Sequence, residues 1–251
     1  MNEQAIVVAS FGTSVPEART GIASVEKVLA AAAPDYACVR AFTSPTIRRI
    51  LEDRGERAPS LTGALEALLA QGVRRAIVQP THLLYGYEYD KLKAEAEAMA
   101  DRFEDLTVGR PLLADNRDIQ RFALRLSQDH PAEEGTAVVC MGHGTGHFAN
   151  AVYPALQTAL DLLGREDLYI GTVEGWPAFG DILRQLEAAG PRRVELLPLM
   201  LVAGDHARND MAGDWKPRLE QAGHSVTCSF VGLGELGWVQ EMYRERLEEL
   251  L

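Results

Sequence analysis

Residues 137–145, AVVCMGHGT, are the stretch that decides how this chain folds. The apolar run with β-branched Val138 and Val139 predicts a buried β-strand, and the glycines after it allow a sharp turn. His143 therefore stands at the predicted carboxyl end of a strand, where open α/β sheets bind their ligands. Two further strand-like segments lead to other residues of types that bind metals. LYIGTVE ends at Glu174, and RRVELLPLM leads to His206.

Strand-like and helix-like segments alternate along the whole sequence, and its two halves resemble each other. Residues 5–13 align with 137–145 with four identities in nine, and residues 74–86 align with 192–204 with five in thirteen. Alternation of this kind predicts parallel sheets flanked by helices. We therefore predict an α/β protein of two similar tandem domains, 1–112 and 113–251, with a cleft between them. The sequence leaves open whether the last helix packs back on the first domain.

Local signals mark several helices. Ser44 before Pro45 predicts an N-cap followed by a first helical residue, and Ser60 predicts another helix start. Continuous helices are expected over roughly 87–103 and 208–221 from their composition and spacing.

Composition and charge exclude several classes of protein. The net charge is -11, with 36 acidic and 25 basic residues, which argues against a nucleic-acid or anionic-membrane surface. The three cysteines form no CxxC pair, as expected in a reducing compartment. No secretory signal and no apolar run long enough for a membrane helix is recognisable. We expect a cytoplasmic protein.

His143, Glu174 and His206 are separated by 31 and 32 residues, so they can meet only if parallel strands bring their ends together. Two imidazoles and a carboxylate suit Co²⁺, Fe²⁺ or Zn²⁺, and three protein ligands leave coordination positions open. Each residue also has an ordinary interpretation. His143 could be a hydrogen-bonded loop histidine, Glu174 could lie in a solvated turn, and His206 could belong to a helix start capped by Asp205. His147, four residues after His143, could be a further ligand, but we interpret it as a residue at the rim.

Other segments offer candidates for ligand contacts. The turn SFGTS at 10–14 resembles a phosphate-binding turn, but it lacks the GxxxxGK[ST] spacing, and no complete GxGxxG follows a strand. We therefore expect no nucleotide. His82 could face the cleft from the first domain, or bond a backbone carbonyl. Leu199, Met200 and Phe11 could form an apolar wall for a flat ligand, or belong to the core.

Several motifs together resemble the anaerobic sirohydrochlorin cobaltochelatases, class II tetrapyrrole chelatases related to ferrochelatase. The motifs are VASFGTS, RAFTSPTIRRIL, THLLYGYEYDK, MGHGTGH, VE before GWP, and LPLMLVAGDHARNDMAGDWK. The resemblance implies insertion of Co²⁺ into sirohydrochlorin or precorrin-2 without a nucleotide. It also implies that His143, Glu174 and His206 bind the metal and that His143 accepts protons. The residues then expected to contact the tetrapyrrole are Ser10, Phe11, Gly12, Thr13, Ser44, His82, Tyr85, Glu88, Leu199 and Met200.

Other functions stay open at this point. The metal could be Fe²⁺, as in siroheme synthesis; the chain could be a carrier of metal or tetrapyrrole without catalysis; or the triad could activate water in a metallohydrolase. Because sirohydrochlorin carries carboxylates, cationic groups are expected near the ligand, with Arg48, Arg49 and Lys91 as candidates. A homo-oligomer is also compatible with the sequence.

Overall fold

The computed structural model describes residues 3–251, which form two compact units. The first unit runs to Leu112 and includes Gly234–Leu251, and the second comprises Leu113–Leu233. The final helix therefore groups with the first unit, the arrangement that the sequence left open.

The strands and helices alternate along the chain. The strands are β1 (Gln4–Ser10), β2 (Ala37–Phe42), β3 (Arg75–Pro80), β4 (Asp105–Val108), β5 (Thr136–Gly142), β6 (Leu168–Thr172), β7 (Arg193–Pro198) and β8 (Ser225–Cys228). The α-helices are α1 (Arg19–Ala32), α2 (Pro45–Asp53), α3 (Leu61–Ala70), α4 (Tyr87–Glu97), α5 (Asn116–Asp129), α6 (Val152–Leu162), α7 (Phe179–Ala189), α8 (Lys216–Gln221) and α9 (Gly237–Glu248).

The first unit is built on a four-stranded parallel sheet in the order β2-β1-β3-β4. Residues 5–10 of β1 are buried, because strands flank β1 on both sides and helices cover the sheet. Helix α9 packs on α1, and the Tyr243 hydroxyl donates a 2.7 Å hydrogen bond to the carbonyl of Thr81. The end of the chain is thereby anchored to the segment that follows β3.

The second unit repeats this topology with the order β6-β5-β7-β8, again all parallel. Its core packs Met141, Ile182 and Trp215 between the sheet and the helices. The Gln157 side chain from α6 donates to the Leu168 carbonyl at 2.9 Å and accepts from the Ile170 amide at 2.7 Å. The side-chain amide of Gln157 thus satisfies two backbone groups of β6, which lies at the edge of the sheet.

The predicted fold class is confirmed: two similar four-stranded parallel sheets are flanked by helices. Ser44 and Ser60 cap α2 and α3 by accepting from the amides of Ile47 and Gly63. Two helices differ from the expectation. The helix expected over 87–103 ends at Glu97 and is followed by a 3₁₀ turn, Ala100–Arg102. The one expected over 208–221 is a π-helix, Ala207–Trp215, that continues into α8.

Among residues 3–251, no helix combines the length and the apolar composition that crossing a membrane requires.

Candidate metal centre

His143 is the first residue after β5, in a loop that lies against the loop after β6. The amide of Val173 donates to the Gly142 carbonyl at 3.1 Å, and the amide of Glu174 donates to the His143 carbonyl at 2.8 Å. Because β5 and β6 are parallel neighbours, their carboxyl ends bring these two loops together. The backbone of Glu174 therefore lies one hydrogen bond from the backbone of His143.

The Asn150 side chain joins the same two loops. Its Oδ1 accepts from the Thr145 amide at 3.1 Å, and its Nδ2 donates to the Trp176 carbonyl at 2.7 Å. Asn150 lies in the 3₁₀ turn Phe148–Ala151, which begins with the His147 ring accepting a hydrogen bond from the Ala149 amide. One side-chain amide thus spans the segments that carry His143 and Glu174.

His206 approaches His143 from the segment that follows β7. It immediately precedes the π-helix, and its ring centre lies 4.5 Å from that of His143, with the planes at 90°. An imidazole nitrogen binds a first-row divalent ion at about 2.1 Å, which puts the ring centre roughly 3.2 Å from the ion. Two rings at the observed separation are therefore close enough to share one ion at neighbouring coordination positions.

The hydrogen bonds of the two rings define which nitrogen is available. His143 Nδ1 lies 2.8 Å from the Gly144 carbonyl oxygen, and His206 Nδ1 lies 2.7 Å from Asp210 Oδ2. Both oxygens only accept, so in each neutral ring Nδ1 carries the proton and donates. Nε2 then keeps its lone pair, which is the form of imidazole that binds a metal.

Glu174 is exposed, and its backbone amide bonds to the backbone carbonyl of His143. Within residues 3–251, no three or more His, Cys, Asp or Glu side chains are grouped so that they could hold a metal ion. The structure therefore pairs the two imidazoles and places the Glu174 backbone beside the backbone of His143. The participation of its carboxylate stays a prediction.

The predicted ligand contacts of the first unit fall into two groups. Three side chains hold the backbone: Ser10 accepts a hydrogen bond from the Thr81 hydroxyl at 2.8 Å, Thr13 accepts from the Val15 amide, and Ser44 caps α2. All three are buried. Phe11, in contrast, is 49% exposed, and Gly12 beside it has a φ of 95°. Gly12 is itself buried, so Phe11 is the exposed residue of the SFGTS turn.

His82 follows β3, and its ring nitrogens are both buried without a hydrogen-bond partner. Burial lowers the pKa of His82 to about 4, while nearby Glu88 acts in the opposite direction. Glu88 itself pairs with Lys91 at 2.6 Å, and Tyr85 packs edge-on against Tyr89. His82 is therefore a neutral imidazole near pH 7, with hydrogen-bonding capacity that the folded chain does not use.

The remaining candidates lie close to the core or on the surface. Leu199 is buried, whereas Met200 is partly buried against the core of the second unit. Arg48 has a buried Nε without a partner, and Arg49 is exposed.

Sequence reasoning missed two residues of this centre: Asp210, which bonds the His206 ring, and Asn150, which joins the loops that carry His143 and Glu174. Asp210 could have been found, because a residue four positions after His206 lies on the same helical face. Asn150 offers no such signal, since it joins loops that are distant in sequence.

The fold just described is shared with a structurally characterised chelatase. SirB from Bacillus subtilis, solved with Fe³⁺, matches with a TM-score of 0.70 at 16% sequence identity, covering 98% of this chain and 94% of that chain. At this identity the match concerns the fold alone.

Sequence comparison is more specific. The sirohydrochlorin cobaltochelatase of Salmonella typhimurium is 38% identical over 256 residues, covering 99% of this chain and 97% of the relative. The sirohydrochlorin cobaltochelatase CbiKC of Nitratidesulfovibrio vulgaris is 36% identical over 233 residues, covering 89% of this chain and 82% of the relative. The model of the cobalt chelatase (CbiK) family matches residues 4–251. The chain belongs to the cobalt chelatase (CbiK) family.

Proposed function

We propose that this protein inserts Co²⁺ into sirohydrochlorin. The observation that carries the proposal is the pair of imidazoles, His143 and His206, whose ring centres lie 4.5 Å apart with both Nδ1 atoms already bonded. Membership of the cobalt chelatase family and the 38% identity to a sirohydrochlorin cobaltochelatase support the same reaction.

The metal is a substrate in this proposal, so it must be held firmly enough to be captured and weakly enough to be released. His143 and His206 bind the incoming Co²⁺ through Nε2, and the exposed Glu174 carboxylate turns towards the ion as the third ligand. Three protein ligands leave positions open for water and for the nitrogen atoms of the macrocycle. The carboxylate also lowers the net charge of the bound dication, which reduces the cost of removing water from it.

The reaction exchanges one dication for two protons. Two pyrrole nitrogens each lose a proton as they form bonds to Co²⁺, and the total charge is conserved. When the ion moves to the macrocycle, His143 Nε2 loses its metal and is free to accept a pyrrole proton, as a general base does. Glu174, exposed beside it, accepts the second proton or passes it to water.

The first unit contributes contacts to the tetrapyrrole in this proposal. Phe11 offers an exposed ring and His82 an unused pair of ring nitrogens, whereas Ser10, Thr13 and Ser44 act by holding the loops. Arg48 and Arg49 are the cations proposed to meet substrate carboxylates. A double Arg→Gln variant at these positions is expected to raise the KM for sirohydrochlorin, and an unchanged KM would exclude them.

We further propose that the reaction needs no nucleotide and takes place in the cytoplasm. The chain lacks the spacing of a P-loop, and Cys38, Cys140 and Cys228 are all free thiols, as is usual in a reducing compartment.

The test follows the absorption spectrum of sirohydrochlorin with the protein and Co²⁺ or Fe²⁺, without ATP. His143→Asn and His206→Asn keep a donor for the Gly144 carbonyl and Asp210 but remove the Nε2 lone pair, so each is expected to lower kcat by 100-fold or more, on the order of what a positioned general base contributes. His147→Asn is the matched control, because asparagine can also cap the 3₁₀ turn and should keep the activity.

Two of the alternative functions have their own result in this assay, and incubation with model esters and phosphates tests the third, a metallohydrolase. A carrier would bind sirohydrochlorin stoichiometrically without accelerating metal insertion. A ferrochelatase would turn over Fe²⁺ in preference to Co²⁺. Normal turnover by both the His143 and His206 variants would contradict the proposed site.

A further inference from the structure

Asp210 forms a hydrogen bond with one of the two imidazoles, the ring of His206. Its Oδ2 lies 2.7 Å from His206 Nδ1, and both side chains are partly exposed, by 34% and 40%. The pair lies at positions i and i+4, where the π-helix begins. A helical neighbour therefore fixes the orientation of the His206 ring through Nδ1.

We propose that Asp210 is a positioning residue that makes His206 the anchoring ligand for Co²⁺; this inference rests on the proposed function. A carboxylate on Nδ1 selects the ring form with its proton on Nδ1 and leaves Nε2 as the acceptor. It also increases the electron-donating strength of the imidazole, as carboxylates behind metal-bound histidines do.

The two histidines differ in this respect. The partner of His143 Nδ1 is the neutral carbonyl of Gly144 at 2.8 Å, whereas the partner of His206 is an anionic carboxylate. A charged acceptor forms the stronger hydrogen bond and donates more charge through the ring. His206 is thus suited to retain the ion, and His143 is suited to release it and to accept a proton.

The helix supplies a matched control. Asp214 lies four residues after Asp210 in the same π-helix, and it pairs with Arg218 at 3.0 Å instead of with a histidine. Asp214→Asn removes the same charge from the same helix without touching the imidazoles. Any general effect of removing a negative charge from the helix should therefore appear in Asp214→Asn as well as in a variant of Asp210.

The experiment measures two properties of the metal-free protein without tetrapyrrole. Nitrogen NMR of the neutral form of the His206 ring reports which nitrogen carries the proton. Equilibrium dialysis reports the affinity for Co²⁺. Asp210→Ala is expected to shift the proton of His206 towards Nε2 and to weaken Co²⁺ binding by about 10- to 100-fold.

Asp210→Asn tests the role of charge with almost the same shape. Its amide oxygen can still accept from Nδ1, so the proton of His206 should stay on Nδ1 while the Co²⁺ affinity falls to an intermediate value. Asp214→Asn should match the wild-type protein in both measurements. Asp210→Asn also serves if Asp210→Ala does not fold.

Unchanged Co²⁺ affinity in the Asp210 variants, or a loss of the same size in Asp214→Asn, would overturn the inference. These measurements do not depend on turnover, so failure of the proposed function is distinguished from failure of this inference. If wild-type protein does not metallate sirohydrochlorin, the function fails, while the effect of Asp210 on His206 is still decided.

Discussion

Gly144 shows how closely the two loops of the candidate metal centre approach each other. Its φ is 79°, and a Cβ placed there would lie 2.5 Å from the Gly175 amide nitrogen and 2.8 Å from Thr172 Cβ. Only glycine combines this backbone conformation with the absence of a side chain. The close approach of the loops that carry His143 and Glu174 thus depends on Gly144.

We predict that Gly144→Ala destabilises the protein by at least about 2 kcal/mol and greatly weakens Co²⁺ binding, because the new methyl group must push the loops apart. Gly146→Ala is the matched control, since a Cβ there meets no atom within 4 Å. Denaturant unfolding and Co²⁺ titration check both variants. Equal behaviour of the two variants would refute the close approach.

His82 is a second position where one side chain has a measurable consequence. Its pKa is lowered from 6.5 to about 4 by burial, so the unfolded chain binds this proton more readily than the folded protein does. Stability is therefore expected to fall as the pH drops from about 6.5 to about 4, and this contribution should level off below that range, amounting to about 3 kcal/mol in total.

The His82→Phe variant tests this dependence, because phenylalanine fills a similar volume and cannot be protonated. The difference in free energy of unfolding between variant and wild type should shift in favour of the variant as the pH decreases through this range. Urea unfolding at a series of pH values measures the difference. A constant difference would mean that His82 titrates alike in both states.

At the scale of elements, Arg165 fixes the end of α5 to the segment before β6. Its guanidinium is buried and donates to the carbonyls of Ser127 and His130 at 2.6 Å each, and it pairs with Asp167 at 2.7 Å. Arg165 lowers the pKa of the Asp167 carboxyl by hydrogen bonding and charge. One side chain therefore satisfies the last carbonyls of a helix.

We predict that Arg165→Met lowers the free energy of unfolding by about 3 kcal/mol, because it leaves two carbonyls and a carboxylate without their donor. Arg165→Lys should recover only part of this loss, since an ammonium group cannot reproduce the planar fork. Thermal and urea unfolding measure both changes. Full recovery by lysine would show that charge alone matters.

The elements were largely predictable, whereas their exact geometry was not. The β5 strand could be predicted because its apolar run is bounded by glycines, and the end of α7 because Gly190 adopts the left-handed conformation there, with φ of 66°. The π-helix could not be predicted, because its apolar spacing is that of any helix. Its register depends on packing around Met211 and Trp215, which are buried in the second unit.

In the candidate site, too, the approach of the elements was predictable and the detailed geometry was not. Parallel strands ending beside each other made the approach of His143 and His206 predictable. The path of the loop decides which nitrogen of His143 is free, since the Gly144 carbonyl accepts from Nδ1. The two hydrogen bonds of the Asn150 side chain form only when both loops are in place. Such contacts are set by the folded backbone and leave no local pattern in the sequence.

At the scale of the whole molecule, one topology occurs twice, but the two copies carry different chemistry. The sheets have the orders β2-β1-β3-β4 and β6-β5-β7-β8. In the alignment of the halves, Phe11 stands opposite His143 and Glu88 opposite His206. The paired imidazoles therefore belong to the second unit, and we expect one Co²⁺ site per chain.

X-ray absorption at the cobalt edge of the Co²⁺-loaded chain is the measurement that tests this account most directly. We predict scattering from two imidazole rings bound to cobalt in the wild-type protein. This scattering should fall to one ring in His143→Asn or in His206→Asn and stay at two in His147→Asn. A wild-type spectrum without imidazole ligands, or one that neither substitution changes, would contradict the assignment of the metal to this pair.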